Sequence, residues 1–314
     1  MTHRPPTSAF GRLRDAFDTT LLPRRATPVI VDPALLGPWS LDEAMKRVEW
    51  RLAESCVSAE PTVADGARST VLAGGKRMRP RVVLLAYAAC GGREYDRAVD
   101  AAAAVELIHA ASLVHDDIID GSPIRRSRPA VHVKHGLATA VCVGDFLFVR
   151  GFALAGPLGL DIVEATSRAC QRLAEGEVRE VRTARETATE RDYLEIVTAK
   201  TAEPVRACAE VGAALAGAPD PWRRALAGYG LALGIAFQIQ DDILDVEGDP
   251  DALGKATGSD AHLPTLPRVA GIERARKAAL WYHDQAVAEL APLPESTWKD
   301  ELRAIARRAV ERDR

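Results

Sequence analysis

The chain is poor in the features that mark several common classes of protein. Aromatic residues make up only 5% of its 314 residues, and polar and apolar residues never keep the alternation typical of β-strands. The five cysteines are an odd number without a CxxC pair, which indicates neither a disulfide framework nor a zinc site. These absences argue against an all-β fold and favour a reducing compartment, the cytoplasm.

A large excess of charge of either sign is also missing. The chain has 41 Lys and Arg against 44 Asp and Glu, and its formal net charge is −3. A total charge this small does not indicate a protein that coats nucleic acid or an anionic membrane. Uncharged stretches such as 226–240 are shorter than the roughly 20 apolar residues that span a bilayer. We therefore expect no nucleic-acid partner and no membrane span.

Helical spacing is what the sequence does contain. Residues 1–38 include six prolines and are predicted to be a loosely held arm. Over residues 39–314, apolar residues recur at helical intervals behind a predicted N-cap at Ser40, and Gly and Pro separate the segments. This pattern predicts one all-α domain, a single large helical bundle. The segments 100–120 and 222–245 are apolar on nearly every face, as expected of central helices.

Each predicted central helix ends in the same acidic motif, DDIxD. The motif residues are Asp116, Asp117 and Asp120 in the first helix, and Asp241, Asp242 and Asp245 in the second. Residues four apart share a helix face, so each helix presents a pair of carboxylates. One trio is most simply a solvated surface, but two trios on buried helices would repel one another unless cations neutralised them. Aspartate clusters without His or Cys ligands predict Mg²⁺ bound together with a diphosphate.

A diphosphate site also needs cationic side chains, and three short basic stretches lie beside chain breakers. They are residues 76–79, residues 125–128, and Lys200 with Thr201. Each stretch alone is typical of a solvated surface. Arginine offers phosphate a planar fork and lysine a point charge, so separate basic groups allow two different phosphorylated substrates.

Together these motifs resemble the trans-isoprenyl diphosphate synthases of the polyprenyl synthase family. The matching stretches are GGKRMRP at 74–80, ELIHAASLVHDDIID at 106–120, VGDFLF at 143–148, EGE at 175–177, KT at 200–201 and GIAFQIQDDILDVEGD at 234–249. The resemblance covers most of the chain after the arm. It implies an isoprenoid synthase bundle with a central cavity and a homodimer. The implied enzyme is a Mg²⁺-dependent prenyltransferase that joins isopentenyl diphosphate to an allylic diphosphate.

The resemblance also implies a role for individual residues. Three Mg²⁺ ions would be bound by Asp116, Asp120 and Asp241, with Asp117, Asp242 and Asp245 in the same clusters. Isopentenyl diphosphate would be held by Lys76, Arg79, His109 and Arg126. The allylic diphosphate would be contacted by Arg125, Lys200, Thr201, Gln238 and Lys255. Mg²⁺ and these cations would stabilise the departing diphosphate, which would then remove the final proton.

Product length is expected to depend on Ala111 and Ser112, about one helical turn before Asp116. Both are small, and in this family a bulky aromatic residue here stops elongation early, so we expect geranylgeranyl diphosphate or a longer product. Two departures from the family pattern concern substrate affinity and closure of the site. Residues 254–267 lack the usual second lysine, and Ser127 replaces a usual glycine.

Three other functions stay open at this point. A partner subunit of a heteromeric polyprenyl synthase tends to lose its acidic residues, and here all six remain. A class I terpene cyclase would carry an Asn/Ser/Glu type of second metal motif and has no use for the basic stretch at 76–79. An HD-type phosphohydrolase would need further His and Asp ligands that the sequence does not supply.

Overall fold

Helices account for nearly all of the chain that the structure describes. The structure is a computed structural model that describes residues 40–183, 187–247 and 263–311, all within one compact unit, Ser40–Arg314. The helices within these residues are α1 (Leu41–Ser55), α2 (Pro61–Val71), α3 (Met78–Ala89), α4 (Tyr95–Ile119), α5 (Val131–His135), α6 (Leu137–Ala155), α7 (Leu160–Arg182), α8 (Glu190–Val197), α9 (Glu203–Leu215), α10 (Asp220–Glu247), α11 (Leu266–Ala270), α12 (Ile272–Glu289) and α13 (Thr297–Val310). The predicted arm and Lys255 lie outside the described residues.

Local sequence signals set several helix boundaries. The Ser40 side chain accepts a hydrogen bond from the backbone N–H of Glu43, as the predicted N-cap of α1 should. Thr189 and Asp192 form a reciprocal capping box at the start of α8. Pro61 occupies the first position of α2, where its missing N–H costs nothing.

The two longest helices are the two that were predicted to be central. α4 has 25 residues and α10 has 28, and apolar residues are buried on several faces of each. In the described part of the chain, α9 packs against α10, α3 and α7, while α4 packs mainly against α6, α3 and α1. The helices with the acidic motifs are therefore connected through α9 and its neighbours rather than by extensive packing on each other.

One irregular turn joins α8 to α9. Residues Thr198–Ala202 form a π turn, in which hydrogen bonds span five residues instead of four. Glycines of α10 let this segment approach closely, because a Cβ atom on Gly234 would lie 2.6 Å from Cα of Ala202. A Cβ atom on Gly230 would likewise lie 2.7 Å from Cα of Arg206. The close approach places the π turn beside the acidic end of α10.

A small hairpin interrupts the helical pattern after α4. Strands β1 (Ile124–Arg125) and β2 (Arg128–Pro129) pair antiparallel. The two-residue turn between them has φ values of 49° at Arg126 and 59° at Ser127, the left-handed conformation that such hairpin turns require. Strands of two residues are too short to produce an alternating pattern, so they could not be predicted from the sequence.

Two segments are long and apolar enough to cross a membrane by length and composition alone. The window in α4 is 72% buried inside the bundle, as a core helix would be, whereas the window in Leu137–Leu158 is only 28% buried. Leu137, Val141 and Val149 are exposed apolar residues of an α6 outer face that also carries the exposed Asp145. We did not expect this segment, because Asp145 and Arg150 interrupt its charge-free run. One or two such helices are weak evidence for a membrane span.

Candidate active site

A lysine and a threonine in the π turn connect α7 with α10, the helix that carries the second acidic motif. The ammonium of Lys200 lies 2.8 Å from Oε2 of Glu177 on α7 and also pairs with Glu180, one turn further along that helix. The next residue, Thr201, donates a hydrogen bond of 3.1 Å to Oε1 of Gln238 on α10. Consecutive residues of the π turn thus contact two different helices.

Burial and like charge perturb the carboxyl groups at this end of the bundle. The pKa of Asp116 is raised to about 7. Burial is the main cause, and the negative charges of Glu177 and Asp120 add to it, while the positive charge of Lys200 opposes it. Burial also raises the pKa of Glu180, which Lys200 counteracts. One lysine does not neutralise these four carboxylates.

The same carboxylates fit a hard divalent cation. Among the residues that the structure describes, the buried carboxylate of Glu177 meets only Lys200, at Oε2, and its Oε1 accepts no hydrogen bond. Asp116 and Asp120 lie one turn apart on α4, and the donors are all oxygens. Within the described residues, no three metal-ligating side chains form a ready-made site. This openness suits Mg²⁺, which keeps several waters and takes ligands from substrate phosphates.

The second aspartate of each motif is buried and bound by other protein groups. Asp117 accepts a hydrogen bond of 2.8 Å from Nε of Arg125 in the hairpin. Asp242 accepts hydrogen bonds from the Tyr193 hydroxyl, at 2.6 Å, and from the Gln238 amide, at 2.9 Å. The sequence predicted that Arg125 and Gln238 contact the allylic diphosphate. In the structure, Arg125 joins the hairpin to the end of α4, and Gln238 binds an aspartate one turn further along its own helix.

The remaining motif aspartates differ in exposure. Asp120 ends α4 and is exposed, whereas Asp241 is partly buried and Asp245 is 1% exposed. Asp241 and Asp245 lie one turn apart, as predicted from their spacing.

A basic group lies at the start of α3. Arg126 of the hairpin donates a hydrogen bond to the backbone carbonyl of Gly74. Gly75 makes room for this contact, because a Cβ atom there would lie 2.9 Å from a guanidinium nitrogen of Arg126. The ammonium of Lys76 lies 5.8 Å from the ring centroid of Phe237 on α10. The loop at 74–76 therefore brings two of the predicted diphosphate ligands, Lys76 and Arg126, into one region.

Four arginines surround His109 on α4. Burial and then the positive charges of Arg79, Arg126, Arg125 and Arg77 hold the pKa of His109 well below its usual range, so its ring is neutral. Arg77 and Arg125 pair with carboxylates. Arg79 and Arg126 form no ion pair with any carboxylate in the described ranges, and Nε of Arg79 is buried without a hydrogen-bond partner. The unmet charge of these two arginines defines a site for an anion.

A small apolar cavity of about 30 Å³ lies beside this basic group, between α4, α7 and α9. Arg79 and His109 form part of its wall, and the apolar lining includes Val105, Ile108 and Leu173. This volume holds only about one or two water molecules, so a prenyl chain enters only if the walls move apart.

The predicted length-determining residues, Ala111 and Ser112, do not line this cavity. Ala111 is fully buried, and Ser112 is 4% exposed. The hydroxyl of Ser112 donates a hydrogen bond to the backbone carbonyl of His109. Ile108, which does line the cavity, lies one turn before Ser112 on α4.

The sequence assigned no role to several groups that the structure places at this site. Glu180 and Tyr193 are the clearest, because they bind Lys200 and Asp242. The spacing of Glu177 and Glu180, one turn apart on a helix, was an available signal. Tyr193 carried no signal, because its partner lies 49 positions further along the chain.

The fold and the site define a helical enzyme for diphosphate chemistry, with acidic helix ends, a separate cationic site and an apolar cavity. The model of the polyprenyl synthetase family matches residues 60–289. The octaprenyl diphosphate synthase of Escherichia coli (strain K12) is 34% identical over 285 residues, which cover 78% of this chain and 88% of that protein. The geranylgeranyl diphosphate synthase of Methanosarcina mazei is 41% identical over 201 residues, or 62% of each chain.

A solved structure agrees with these relatives. The polyprenyl synthase from Caulobacter crescentus CB15, crystallised with calcium and isoprenyl diphosphate, superimposes with a TM-score of 0.83 at 34% identity. The match covers 87% of this chain and 96% of that chain. The chain therefore belongs to the polyprenyl synthetase family, which confirms the predicted family and the all-α fold. It is a trans-prenyltransferase of a class that generally depends on Mg²⁺.

Proposed function

We propose that this enzyme joins isopentenyl diphosphate to an allylic diphosphate with the help of three Mg²⁺ ions. Its product is geranylgeranyl diphosphate or a longer trans-polyprenyl diphosphate. The observation that carries the proposal is that α4 carries carboxylates of a buried acidic group at its end and, at His109, contacts a separate cationic group that lies beside an apolar cavity. One group is acidic and contains Lys200, and the other contains the arginines with unmet charge, Arg79 and Arg126.

The acidic end binds the allylic diphosphate. Asp116, Asp120 and Asp241 hold Mg²⁺, which stabilises the negative charge of the departing diphosphate when bound. Lys200 and Thr201 add a cation and a hydroxyl on the π turn, directed towards α7 and α10. Asp117 and Asp242 act through their neighbours, because each is buried and fixes the helix end that carries a metal ligand.

The basic end binds isopentenyl diphosphate. Arg79 and Arg126 supply positive charge, Lys76 adds an ammonium, and the neutral ring of His109 contributes a hydrogen-bonding group. A substrate held here presents its double bond to the allylic carbon at the acidic end. Attack on the carbocation forms the new carbon–carbon bond, and the released diphosphate takes the proton. No protein base is needed.

The growing chain enters between α4, α7 and α9, where the walls of the small cavity move apart to admit it. The described side chains that line this cavity include no Phe, Tyr or Trp, which supports a product longer than farnesyl diphosphate. Small residues at Ala111 and Ser112 leave the adjoining wall of α4 free of bulk. Lys255 belongs to the proposed allylic site by its motif alone.

A second copy of the chain covers the α6 outer face. Exposed apolar residues that lie along one helix face favour burial, and a two-fold axis would pair the face with itself. Val149→Glu should convert the homodimer to a monomer in sedimentation velocity. Binding of the unmodified chain to lipid vesicles, with a monomer in solution, would instead assign the face to a membrane.

The five cysteines are free thiols, which supports a reducing compartment such as the cytoplasm.

The central test is a condensation assay. The purified chain with Mg²⁺ receives isopentenyl diphosphate and, in turn, dimethylallyl, geranyl or farnesyl diphosphate, and the dephosphorylated products are sized by mass. A ladder that ends at one length of four or more isoprene units supports the proposal. A cyclic hydrocarbon or simple hydrolysis would replace it with a cyclase or a phosphohydrolase. Binding of both substrates without turnover would indicate a subunit of a heteromeric synthase.

A further inference from the structure

Arg77 lies between two of the proposed diphosphate ligands but does not face the substrate. It is only 8% exposed, and its guanidinium makes four hydrogen bonds within the protein. Two go to Oε1 and Oε2 of Glu49 on α1, at 2.6 and 3.0 Å, and one goes to Oε1 of Glu106 on α4, at 2.8 Å. The fourth, at 2.7 Å, goes to the backbone carbonyl of Val71 at the end of α2. One side chain thus joins three helices.

The backbone at Arg77 is held in an unfavourable conformation. Its φ of 49° is left-handed, a region that disfavours any residue with a Cβ atom. Arg77 also precedes α3 as its N-cap without a side-chain capping bond, so the helix start does not stabilise this conformation. The guanidinium contacts are therefore the interactions that hold the turn.

This turn sets the direction of the residues on both sides of it. Lys76 precedes it and Arg79 follows it in the first turn of α3. Glu106 lies three residues before His109, so the Arg77–Glu106 pair also fixes the loop against the part of α4 that carries a third proposed ligand. The buried pair lies behind the anion site and connects its components.

We propose that Glu49, Arg77 and Glu106 form a positioning triad that sets the geometry of the isopentenyl diphosphate site. This inference rests on the proposed function, because it assumes that Lys76, Arg79 and His109 bind that substrate. The triad makes no contact with substrate. Its effect is confined to the basic end, since its three members lie on α1, α4 and the loop before α3.

A positioning role and a purely electrostatic role for Glu106 predict opposite changes in the affinity for isopentenyl diphosphate. The direction of the change therefore tests the proposal. Glu106 adds negative charge close to Arg126, Arg79 and Arg77. Neutralising Glu106 makes the site more positive, so a purely electrostatic role would tighten the binding of an anion. A positioning role would weaken it, because Arg77 loses its buried counter-ion and the turn relaxes.

The experiment compares Glu106→Gln with two other glutamine variants. Glu49→Gln removes the half-exposed member of the triad. Glu54→Gln is the matched control, since Glu54 pairs with Arg51 on the same helix, α1. Calorimetry measures the binding of isopentenyl diphosphate alone and of geranyl diphosphate with Mg²⁺ alone, so no turnover occurs. Steady-state kinetics then gives KM for each substrate and kcat.

We expect Glu106→Gln to weaken isopentenyl diphosphate binding and raise its KM by about tenfold or more, with geranyl diphosphate binding changed less than about twofold. Glu49→Gln should weaken it by a few-fold, and Glu54→Gln should not change it. Arg77→Lys should behave like Glu106→Gln, because an ammonium does not reproduce the fork that spans both carboxylates. Intact binding of geranyl diphosphate shows that a variant is folded.

Two results would overturn the triad. One is unchanged or tighter binding of isopentenyl diphosphate to Glu106→Gln. The other is an equal loss of both substrates, which would indicate a general role in stability. If Glu106→Gln does not fold, Glu49→Gln decides by the same criteria, because its carboxylate is half exposed. An unmodified chain that binds neither substrate would remove the proposed function itself.

Discussion

The ends of α4 and α10 carry the same acidic motif but are held in different ways. At the end of α4, the buried aspartate Asp117 is held by the ion pair with Arg125, which comes from a hairpin with a strained two-residue turn. At the end of α10, Asp242 accepts hydrogen bonds from two uncharged groups, Tyr193 and Gln238, and the helix is fixed by backbone contact at Gly234.

This difference shows that one motif is stabilised by an ion pair with a partly exposed arginine, and the other by uncharged hydrogen-bond donors and close backbone packing. The hairpin that holds the first motif also carries Arg126 of the basic site, so loop geometry and substrate binding are coupled there. The second motif is coupled to Lys200 and Thr201 through the π turn instead. The two ends should therefore respond differently to salt, pH and small changes in volume.

The largest effect is expected where the two ends are equivalent. Asp116→Asn and Asp241→Asn each remove a proposed metal ligand, so each should lower product formation by about 10²–10³-fold or more. Turnover measured across a Mg²⁺ titration checks this expectation. A variant that keeps full activity at ordinary Mg²⁺ concentration would show that its motif does not bind the metal.

The pH dependence of stability should be specific to the first motif. Because burial raises the pKa of Asp116 from 3.8 to about 7, its carboxyl holds a proton more tightly in the folded than in the unfolded chain. Its protonated form favours folding below pH 4, and that advantage is lost as the pH rises towards 7. Asp116 alone should remove roughly 2–4 kcal/mol of unfolding free energy from the metal-free protein across this window, while the lowered pKa of His109 acts in the opposite direction.

Thermal melts of the metal-free protein between pH 4.5 and 7.5 measure this loss. Asp116→Asn has no carboxyl to titrate, so its melting temperature should fall less over the same range. Mg²⁺ with geranyl diphosphate should raise the melting temperature of the unmodified protein most strongly near pH 7.5. Parallel curves for the two proteins would contradict the assignment to Asp116.

A packing change should affect the second motif. Gly234→Ala places a Cβ atom 2.6 Å from the backbone of Ala202, so α10 must move, at a cost of about 1–3 kcal/mol. Chemical denaturation measures the cost, and turnover should fall because Asp241 shifts relative to Lys200. Gly228→Ala is the control on the same helix, since its nearest atoms belong to the flexible carboxylate of Glu289. Equal effects of both changes would argue against a special contact at Gly234.

Removing one partner from each buried aspartate compares the two kinds of support directly. Tyr193→Phe deletes the hydroxyl that donates to Asp242, and Arg125→Gln deletes the ion pair of Asp117. Each should cost about 1–3 kcal/mol of unfolding free energy. Added salt should shrink the loss for Arg125→Gln, because Arg125 is partly exposed, and leave the loss for Tyr193→Phe unchanged. The same salt response in both would show that the two supports do not differ in kind.

The smallest effect is expected in the hairpin turn. Ser127→Gly relieves a left-handed residue with φ of 59°, although glycine also loses more conformational freedom on folding. The net gain should be below about 1 kcal/mol, seen as a rise in melting temperature. Ser122→Gly, at a position without positive φ, should lower it. A stabilising effect of both would indicate that strain at Ser127 is not the cause.

Much of this arrangement could be predicted from the sequence because it depends on long periodic segments. The two central helices, the Ser40 cap and the spacing of Asp116 and Asp120 all follow from local patterns. Contacts between distant positions could not be predicted in this way. Tyr193 meets Asp242 only because α8 packs near α10, and Arg77 reaches Glu49 and Glu106 only after three helices come together.

The role of Arg125 shows a second limit. Two neighbouring arginines in a basic stretch look alike in sequence, yet Arg125 pairs with a buried carboxylate and Arg126 contacts a glycine loop. Their different directions come from the hairpin, because Arg125 ends strand β1 whereas Arg126 begins the left-handed turn. A strand of two residues leaves no pattern from which that difference could be read.

The π turn also has a consequence for comparing this chain with other sequences. An extra residue in a helical rod rotates everything after it by about 100° relative to everything before it. A helical wheel drawn through residues 190–215 as one uninterrupted helix would therefore assign the wrong face to one half. Tyr193 precedes the π turn and Cys208 follows it, so the faces of the two helices must be assigned separately. An alignment gap or insertion within 198–202 changes which neighbouring helix each half contacts.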